Sequence, residues 1–316
     1  MAKFQELTNS SKVLIIGANG NIGSHIFIEM TKHPNFEVIK STRNLNEDSI
    51  KFDLNYDDAS FKFLFLDHND IVIILSGIAS PKEVFNDLEN SYATNVTSII
   101  KLINYLKTTN CKIIYFSSVE VFDGSAAPYN ENSDCNPLNE YGKQKYLIEK
   151  YLRENISTKK YKIIRIPWNI SLNLTSNCVV RNTYDLIDKG DSSIVCDYDI
   201  SIISTLDTAR ITSMIVKKFD LIDDIVIHLA SNEFVNRLEL ADYILKNSTY
   251  LNRKRFKVIN FEDLILEEPR ARDTRMNNSL SKTLLNIEYT EIWSVIRDKI
   301  NLLDYNRAYD SKFKPN

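Results

Sequence analysis

The chain has 316 residues, enough for one large or two unequal domains, with 39 basic and 42 acidic side chains interspersed to a net charge of −3. That balance argues against nucleic acid as a partner, and the longest apolar run, around residues 71 to 79, is far short of the roughly 18 residues a membrane span needs. The opening segment MAKFQELTNSS has no apolar signal core, and Cys111, Cys135, Cys178 and Cys196 form no Cys-x-x-Cys pair, so a cytoplasmic protein with reduced thiols is expected.

A predicted strand over 12 to 17 runs through GANGNIG into a predicted helix over 21 to 32. The chain has only seven glycines, and Gly17, Gly20 and Gly23 are three of them. In a strand-turn-helix unit the first glycine permits the turn, the second lets a pyrophosphate approach the backbone, and the third lets helix pack on strand. The phosphates then rest on free amides at the positive end of the helix. Gly17, Asn19, Gly20, Asn21, Ile22 and Gly23 are therefore the expected dinucleotide turn.

Strands over 36 to 42 and 49 to 53 follow. The first ends in VIKSTRN, where an NAD site would place a carboxylate on the ribose 2′-OH. Thr42 and Arg43, helped by Ser41, suit a 2′-phosphate instead, which favours NADP(H) over NAD(H). The plainer reading of Arg43 is an exposed loop arginine. Asp53, next to Leu54, is placed to accept from an adenine amino group or is a strand-end turn residue.

Next come a helix near 57 to 66, a strand over 70 to 76, a helix over 81 to 109 and a strand over 112 to 118 that ends at Ser117 and Ser118. The helix over 139 to 157 carries Tyr141 and Lys145 one turn apart on one face. A tyrosine is a poor acid or base at neutral pH, and a neighbouring ammonium, with the positive nicotinamide ring of the oxidised cofactor, favours its phenolate. Ser118 would hold a substrate oxygen against the Tyr141 hydroxyl. The order of glycine turn, serine strand end and tyrosine helix is the order one crevice requires.

After a strand over 161 to 167 the strand-helix alternation, which predicts a doubly wound parallel sheet, becomes irregular. Helices are expected near 177 to 189, 206 to 219, 235 to 247 and 288 to 304, and short strands near 193 to 204, 224 to 230 and 255 to 260. This divides the chain into a dinucleotide-binding part over 1 to 168 and a mainly substrate-binding part over 169 to 316, interleaved with the last sheet strands. His25, His33, His68 and His228 show no ligand spacing, and no metal is expected.

Taken together, GANGNIG, the Asp53-Leu54 pair, LSGIAS, Asn95 in SYATNV, FSSVEVFDG, YGKQK, IIRIPW, STLDTARI, IHLASNE and RARDTRMNNS resemble the extended short-chain dehydrogenase/reductases that act on nucleotide sugars. The resemblance implies Ser118, Tyr141 and Lys145 as the catalytic triad, with Lys145 also on the nicotinamide ribose. It implies a cofactor site completed by Ser76, Gly77, Asn95 and the Ile166-Pro167 turn, and substrate contacts from Glu120, Asn169, Arg270 and Arg275, the arginines on the diphosphate. Homodimerisation through the helices over 81 to 109 and 139 to 157 would fit the family.

Val121-Phe122-Asp123-Gly124 and the RARDTRMNNS segment are similar to the dTDP-4-dehydrorhamnose reductases and related 4-keto reductases. Those carry Thr-Asp-Tyr where this chain has Ser118-Val119-Glu120, which leaves the sugar open. Glu120 stands as a substrate contact or a rim carboxylate. The expected activity is NADPH-dependent reduction of a nucleotide-activated 4-keto-6-deoxy sugar. The alternatives are an epimerase or dehydratase with tightly bound NAD, dehydration being disfavoured because Val119 supplies no acid, and a catalytically silent regulatory protein.

Overall fold

The computed structural model describes residues 11–43, 49–54, 61, 64, 66–174, 176–190 and 192–313. Val13, Leu14, Ile15 and Ile16 are buried and make the inner part of strand β1 (Ser11–Ile16). A run apolar at every position, rather than at alternate ones, is what a strand needs when helices cover both faces of its sheet. The same pattern gives β4 (Ile71–Ile74), and β5 (Lys112–Ser118) and β6 (Tyr161–Ile166) keep it apart from Lys112, Ser117, Ser118, Lys162 and Arg165, with α1 (Asn21–Met30), β2 (Phe36–Thr42) and β3 (Ser49–Lys51) between β1 and β4. Most of the helix expected near 57 to 66 falls outside the described residues.

The single helix expected over 81 to 109 is instead α2 (Pro81–Asn86), α3 (Leu88–Tyr92), a π-helical turn (Ala93–Thr97) and α4 (Ser98–Thr109). Asp87 causes the first break: its side chain accepts from the Asn90 amide while its own backbone leaves the helical region. Aspartate competes with helix in this way wherever it can bond to backbone locally. Helix α5 (Glu140–Asn155) then connects β5 to β6.

The rest of the chain comprises β7 (Trp168–Ile170), α6 (Val179–Lys189), β8 (Ser192–Val195), β9 (Asp199–Ser204), α7 (Thr205–Lys217), β10 (Val226–His228), β11 (Phe234–Asn236) and α8 (Arg237–Asn247). It ends with β12 (Phe256–Ile259), β13 (Asp273–Thr274), α9 (Ser279–Leu285) and α10 (Ile292–Phe313). The one strand expected over 193 to 204 is two, β8 and β9. Strands β7, β11 and β13 have two or three residues each, too short to leave a period in sequence.

The main sheet has the order β10-β6-β5-β4-β1-β2-β3 and every pair in it is parallel. The chain works outward from β1 to β3, then returns to the other side of β1 with β4. This reversal opens a crevice at the carboxyl ends of β1 and β4, where ligands of such sheets bind.

One face of the sheet is covered by α1 and α7, whose Ile26, Met30, Ile211 and Ile215 are buried there. The other is covered by α4 and α5 through Leu102, Leu106, Ile148 and Leu152. The apolar faces of α4 and α5 are thus occupied within the chain, while Phe85, Leu88 and Tyr92 on α2 and α3 are exposed. A second core lies among α6, α8, α10 and β9. Along β9, Ile200 and Ile202 enter that second core while Ile203 enters the first, so one strand joins both.

Candidate active site

The turn after β1 leaves no room for side chains. Gly17 has φ +94°, and a Cβ there would lie 2.9 Å from the Ser76 amide nitrogen; a Cβ on Gly23 would strike the Gly17 carbonyl. The Leu75 and Ser76 amides both donate to the Ile16 carbonyl, which seals the loop after β4 against this turn. Helix α1 starts at Gly20 with no side-chain cap, and its first-turn amides are available to an anion. A bare cradle and an uncapped helix at the switch point suit the pyrophosphate of a dinucleotide. Asn19 is exposed on the turn, and Asn21 and Ile22 begin the helix half-buried.

At the end of β2, Ser41 and Thr42 are buried, with the Thr42 hydroxyl 3.0 Å from that of Ser49. Arg43 follows them, exposed, and forms no ion pair with the described residues. Leu54 packs into the core and Asp53 beside it is half-buried. Asn95 sits in the π-helical turn, a distortion that recurs at functional sites. Its Oδ1 accepts from the Ile78 amide (2.7 Å), and its Nδ2 donates to the Ile78 carbonyl (3.0 Å) and to Gln144 Oε1 of α5 (2.8 Å). Asn95 therefore fastens the loop carrying Ser76 and Gly77 to the helix that carries Tyr141.

Ser118 ends β5 and caps a 3-10 turn (Val119–Val121), its hydroxyl accepting from the Glu120 amide at 3.2 Å. Asn139 caps α5 by accepting from the Gly142 amide at 2.9 Å. Ser118, Tyr141 and Glu120 are all buried, and Lys145 donates to the Phe116 carbonyl at 2.9 Å with its Nζ 5.8 Å from the centre of the Tyr141 ring. Burial lowers the Lys145 ammonium to about 8, against an upward pull from Glu149. Burial raises the Tyr141 phenol well above its ordinary value, the negative charge of Glu120 raises it further, and only the neighbouring Ser118 hydroxyl lowers it. The Lys145 ammonium is itself directed to the Phe116 carbonyl.

Glu120 is buried, which excludes a place on the exposed rim. Its Oε2 accepts from Asn139 Nδ2 at 2.7 Å, and the same nitrogen approaches the Pro269 carbonyl at 3.4 Å. Burial raises the Glu120 carboxyl, and Asn139 and Arg270 oppose that rise. Gly142 explains the approach of α5 to this turn: a Cβ would collide with the Glu120 carbonyl and lie 3.0 Å from Pro137 Cβ. Gly142→Ala is expected to lower stability by about 1–3 kcal/mol and to displace Tyr141, read as a lower denaturant midpoint together with lost turnover.

Beside this turn lies a cavity of about 410 Å³ whose walls include Trp168, Tyr198, Arg237, Phe261, Glu268 and Arg270. Arg270 reaches it as expected, but its guanidinium is held by Glu268 at 2.8 Å. Arg275 is not among the lining residues; it forks onto Asp273 at 2.6 and 3.0 Å and lies over the Phe234 ring. Asn169 is likewise engaged, donating to the Pro167 carbonyl and accepting from Thr208, each at 3.0 Å, which fixes the turn between β6 and β7. Arg237 lines the cavity, makes no ion pair among the described residues and is lowered by burial. Trp168, Tyr198, Arg237 and Glu268 come from separate segments with no shared spacing, so sequence reasoning missed them. No group of metal-ligating side chains and no helix long and apolar enough to cross a membrane occurs among the described residues.

A seven-stranded doubly wound sheet with a glycine cradle at its switch point, and Ser118, Tyr141 and Lys145 beyond the strand ends, defines a dinucleotide-binding protein of the NAD-dependent epimerase/dehydratase superfamily. The family model described as RmlD substrate binding domain matches residues 11–303, and the chain belongs to that family, the dTDP-4-dehydrorhamnose reductase family of NAD(P)-dependent reductases and epimerases.

Among solved structures, the chain is similar to a dTDP-4-dehydrorhamnose reductase from Clostridium acetobutylicum, with a TM-score of 0.78 and 23% identity over 92% of this chain and 99% of that one. It is also similar to a UDP-glucose-4-epimerase from Stenotrophomonas maltophila with bound NAD and formylated UDP-arabinopyranose, with a TM-score of 0.78 and 16% identity over 94% and 99%. Both likenesses establish the fold. Methionine adenosyltransferase 2 subunit beta of Xenopus tropicalis is 30% identical over 157 residues, 49% of this chain and 46% of that protein. The chain spans about half the length of the curated relatives it matches first.

Proposed function

We propose that the protein reduces a nucleotide-activated 4-keto-6-deoxy sugar, as a dTDP-4-dehydrorhamnose reductase does, with NADPH preferred to NADH. The observation that carries this reading is the buried pairing of Tyr141 with Ser118, one helical turn from Lys145, beside a cavity able to hold the sugar nucleotide. Gly17 to Gly23, Thr42, Arg43, Asp53, Ser76, Gly77 and Asn95, with Pro167 behind, would hold NADPH, which would supply the hydride. Ser118 positions the sugar oxygen. Tyr141 starts as a neutral phenol, because burial and Glu120 hold its proton, and delivers that proton to the oxygen as negative charge develops there. Lys145 contributes positive charge beneath the phenol.

On this reading residues 1–168 supply the dinucleotide site and the acid, and residues 169–316 mainly supply the sugar-nucleotide walls, with Arg270 and Arg237 nearest the diphosphate. The test is a scan of dTDP- and UDP-activated 4-keto-6-deoxy sugars with NADPH against NADH. Oxidation of NADPH is expected; no turnover with any of them would contradict the reading. The Ser118-Val119-Glu120 departure keeps an NAD-retaining epimerase as a second reading, which turnover without added dinucleotide would favour. Arg43→Ala should reduce the preference for NADPH over NADH by about tenfold or more, the scale of one charged hydrogen bond to phosphate, measured as the ratio of kcat/KM values.

A further inference from the structure

The hydrogen bonds around Asn95 continue into a buried glutamine on the helix that carries the acid. Gln144 is 2% exposed on α5, next to Lys145 and three residues after Tyr141. Its Oε1 accepts from Asn95 Nδ2 at 2.8 Å, and its Nε2 donates to the Ser91 hydroxyl of α3 at 3.1 Å. Asn95 and Ser91 are buried as well. Burying a carboxamide is unfavourable unless its polar atoms are paired, and here both ends of the glutamine amide have partners.

The main chain dictates how these amides are turned. The Ile78 N–H can only donate, so the Asn95 atom facing it is Oδ1 and the atom facing Gln144 is Nδ2. Gln144 must then present Oε1 to Asn95 and Nε2 to Ser91, whose own proton goes to the Leu88 carbonyl at 3.0 Å. At its other end the series of contacts reaches the dinucleotide cradle. Ile78 follows Gly77, where a Cβ would lie 2.7 Å from Asn95 Oδ1, so the loop is pressed against the asparagine. The Leu75 and Ser76 amides of the same loop donate to the Ile16 carbonyl at the end of β1. The packing of Ile148 and Leu152 on the sheet is non-directional, whereas paired amides fix where this loop stands relative to α5.

We propose that Gln144 is a positioning residue for the dinucleotide: it holds the loop over 75 to 78 in register with α5, and so sets where a dinucleotide bound at the cradle lies relative to Tyr141 and Lys145. The inference rests on NADPH as the dinucleotide of the proposed function, and it does not depend on which sugar is reduced. Gln144 acts through Asn95 and the loop. Without it Asn95 Nδ2 loses one of its two acceptors, and the loop loses its bond to the catalytic helix.

Calorimetric titration of the full-length protein with NADPH and, separately, with UDP tests this in Gln144→Met, which fills a similar volume without either hydrogen bond. The variant is expected to bind NADPH about tenfold more weakly than the wild type. UDP is expected to bind equally to both, because none of Ser91, Asn95 and Gln144 lines the cavity. Unchanged NADPH affinity would overturn the proposal, and so would an equal loss for NADPH and UDP, which marks a general loosening of the fold. If the methionine variant does not fold, Ser91→Ala decides: it removes only the partner of Nε2 and should weaken NADPH about threefold, and unchanged affinity there overturns the proposal. A wild type that binds NADPH but not UDP would contradict the sugar-nucleotide reading of the cavity and leave the NADPH comparison to decide. A folded wild type that binds no NADPH would contradict the proposed function and this proposal together.

Discussion

Tyr141→Phe should lower kcat for reduction of the keto sugar about 10²–10⁴-fold, the usual contribution of a positioned acid, while leaving the affinity for sugar nucleotide nearly unchanged. The phenol ring fills its buried place with or without the hydroxyl, so the sheet and the cradle have no reason to move. The same measurement separates an enzyme from a catalytically silent protein. In the silent case nothing would depend on the hydroxyl.

A pH profile adds the part played by Lys145. Burial lowers this amine to about 8, so it is charged below that pH and neutral above it. The rate of reduction, kcat/KM, should therefore fall as pH rises through about 8.

The largest loss of stability is expected from Glu149→Ala. Glu149 and Arg165 are buried side chains joined by two hydrogen bonds of 3.0 and 2.7 Å. Arg165 also donates to Cys135 Sγ at 3.0 Å and lies 5.1 Å from the centre of the Phe122 ring. Removing the carboxylate strands a buried guanidinium and should cost about 3–5 kcal/mol in urea unfolding. Replacing both partners, as in Glu149→Leu with Arg165→Met, should cost less than the single change, because no uncompensated charge remains. Glu149 also raises the Lys145 amine. Its loss should move the alkaline limb of the rate profile to lower pH, which ties the ion pair to the active site by a readout that unfolding does not produce.

The dinucleotide half was legible because its signals are local. Val13 to Ile16 must be apolar throughout to sit between two helical layers, and Gly17 and Gly23 occupy places where a Cβ meets backbone. The close approach at Gly142, where a Cβ would meet the Glu120 carbonyl, is visible only in the fold. The break at Asp87 hides within a helical pattern because it is made by one side chain bonding to one amide.

The cavity was much less legible. Tyr198 precedes β9, Arg237 begins α8 and Glu268 lies between β12 and β13, and only tertiary packing brings them together. Arg270 and Arg275 belong to one motif, yet they differ in place: Asp273, two residues before Arg275, takes its guanidinium, while Arg270 turns to the cavity. The effect of Glu120 on Tyr141 was missed for a related reason. Sequence spacing places Lys145 on the tyrosine's helix face but says nothing of the negative charge that Glu120 brings from the preceding turn.

A reductase transfers hydride from NADPH to the sugar carbonyl and does not recover it. Its most direct test is stoichiometry: NADPH lost against keto sugar consumed, followed in one reaction with a dTDP-activated 4-keto-6-deoxy sugar and the purified protein. One NADPH is expected to be oxidised for each sugar reduced, with no conversion when NADPH is omitted. Conversion of sugar nucleotide with no net loss of NADPH would contradict it.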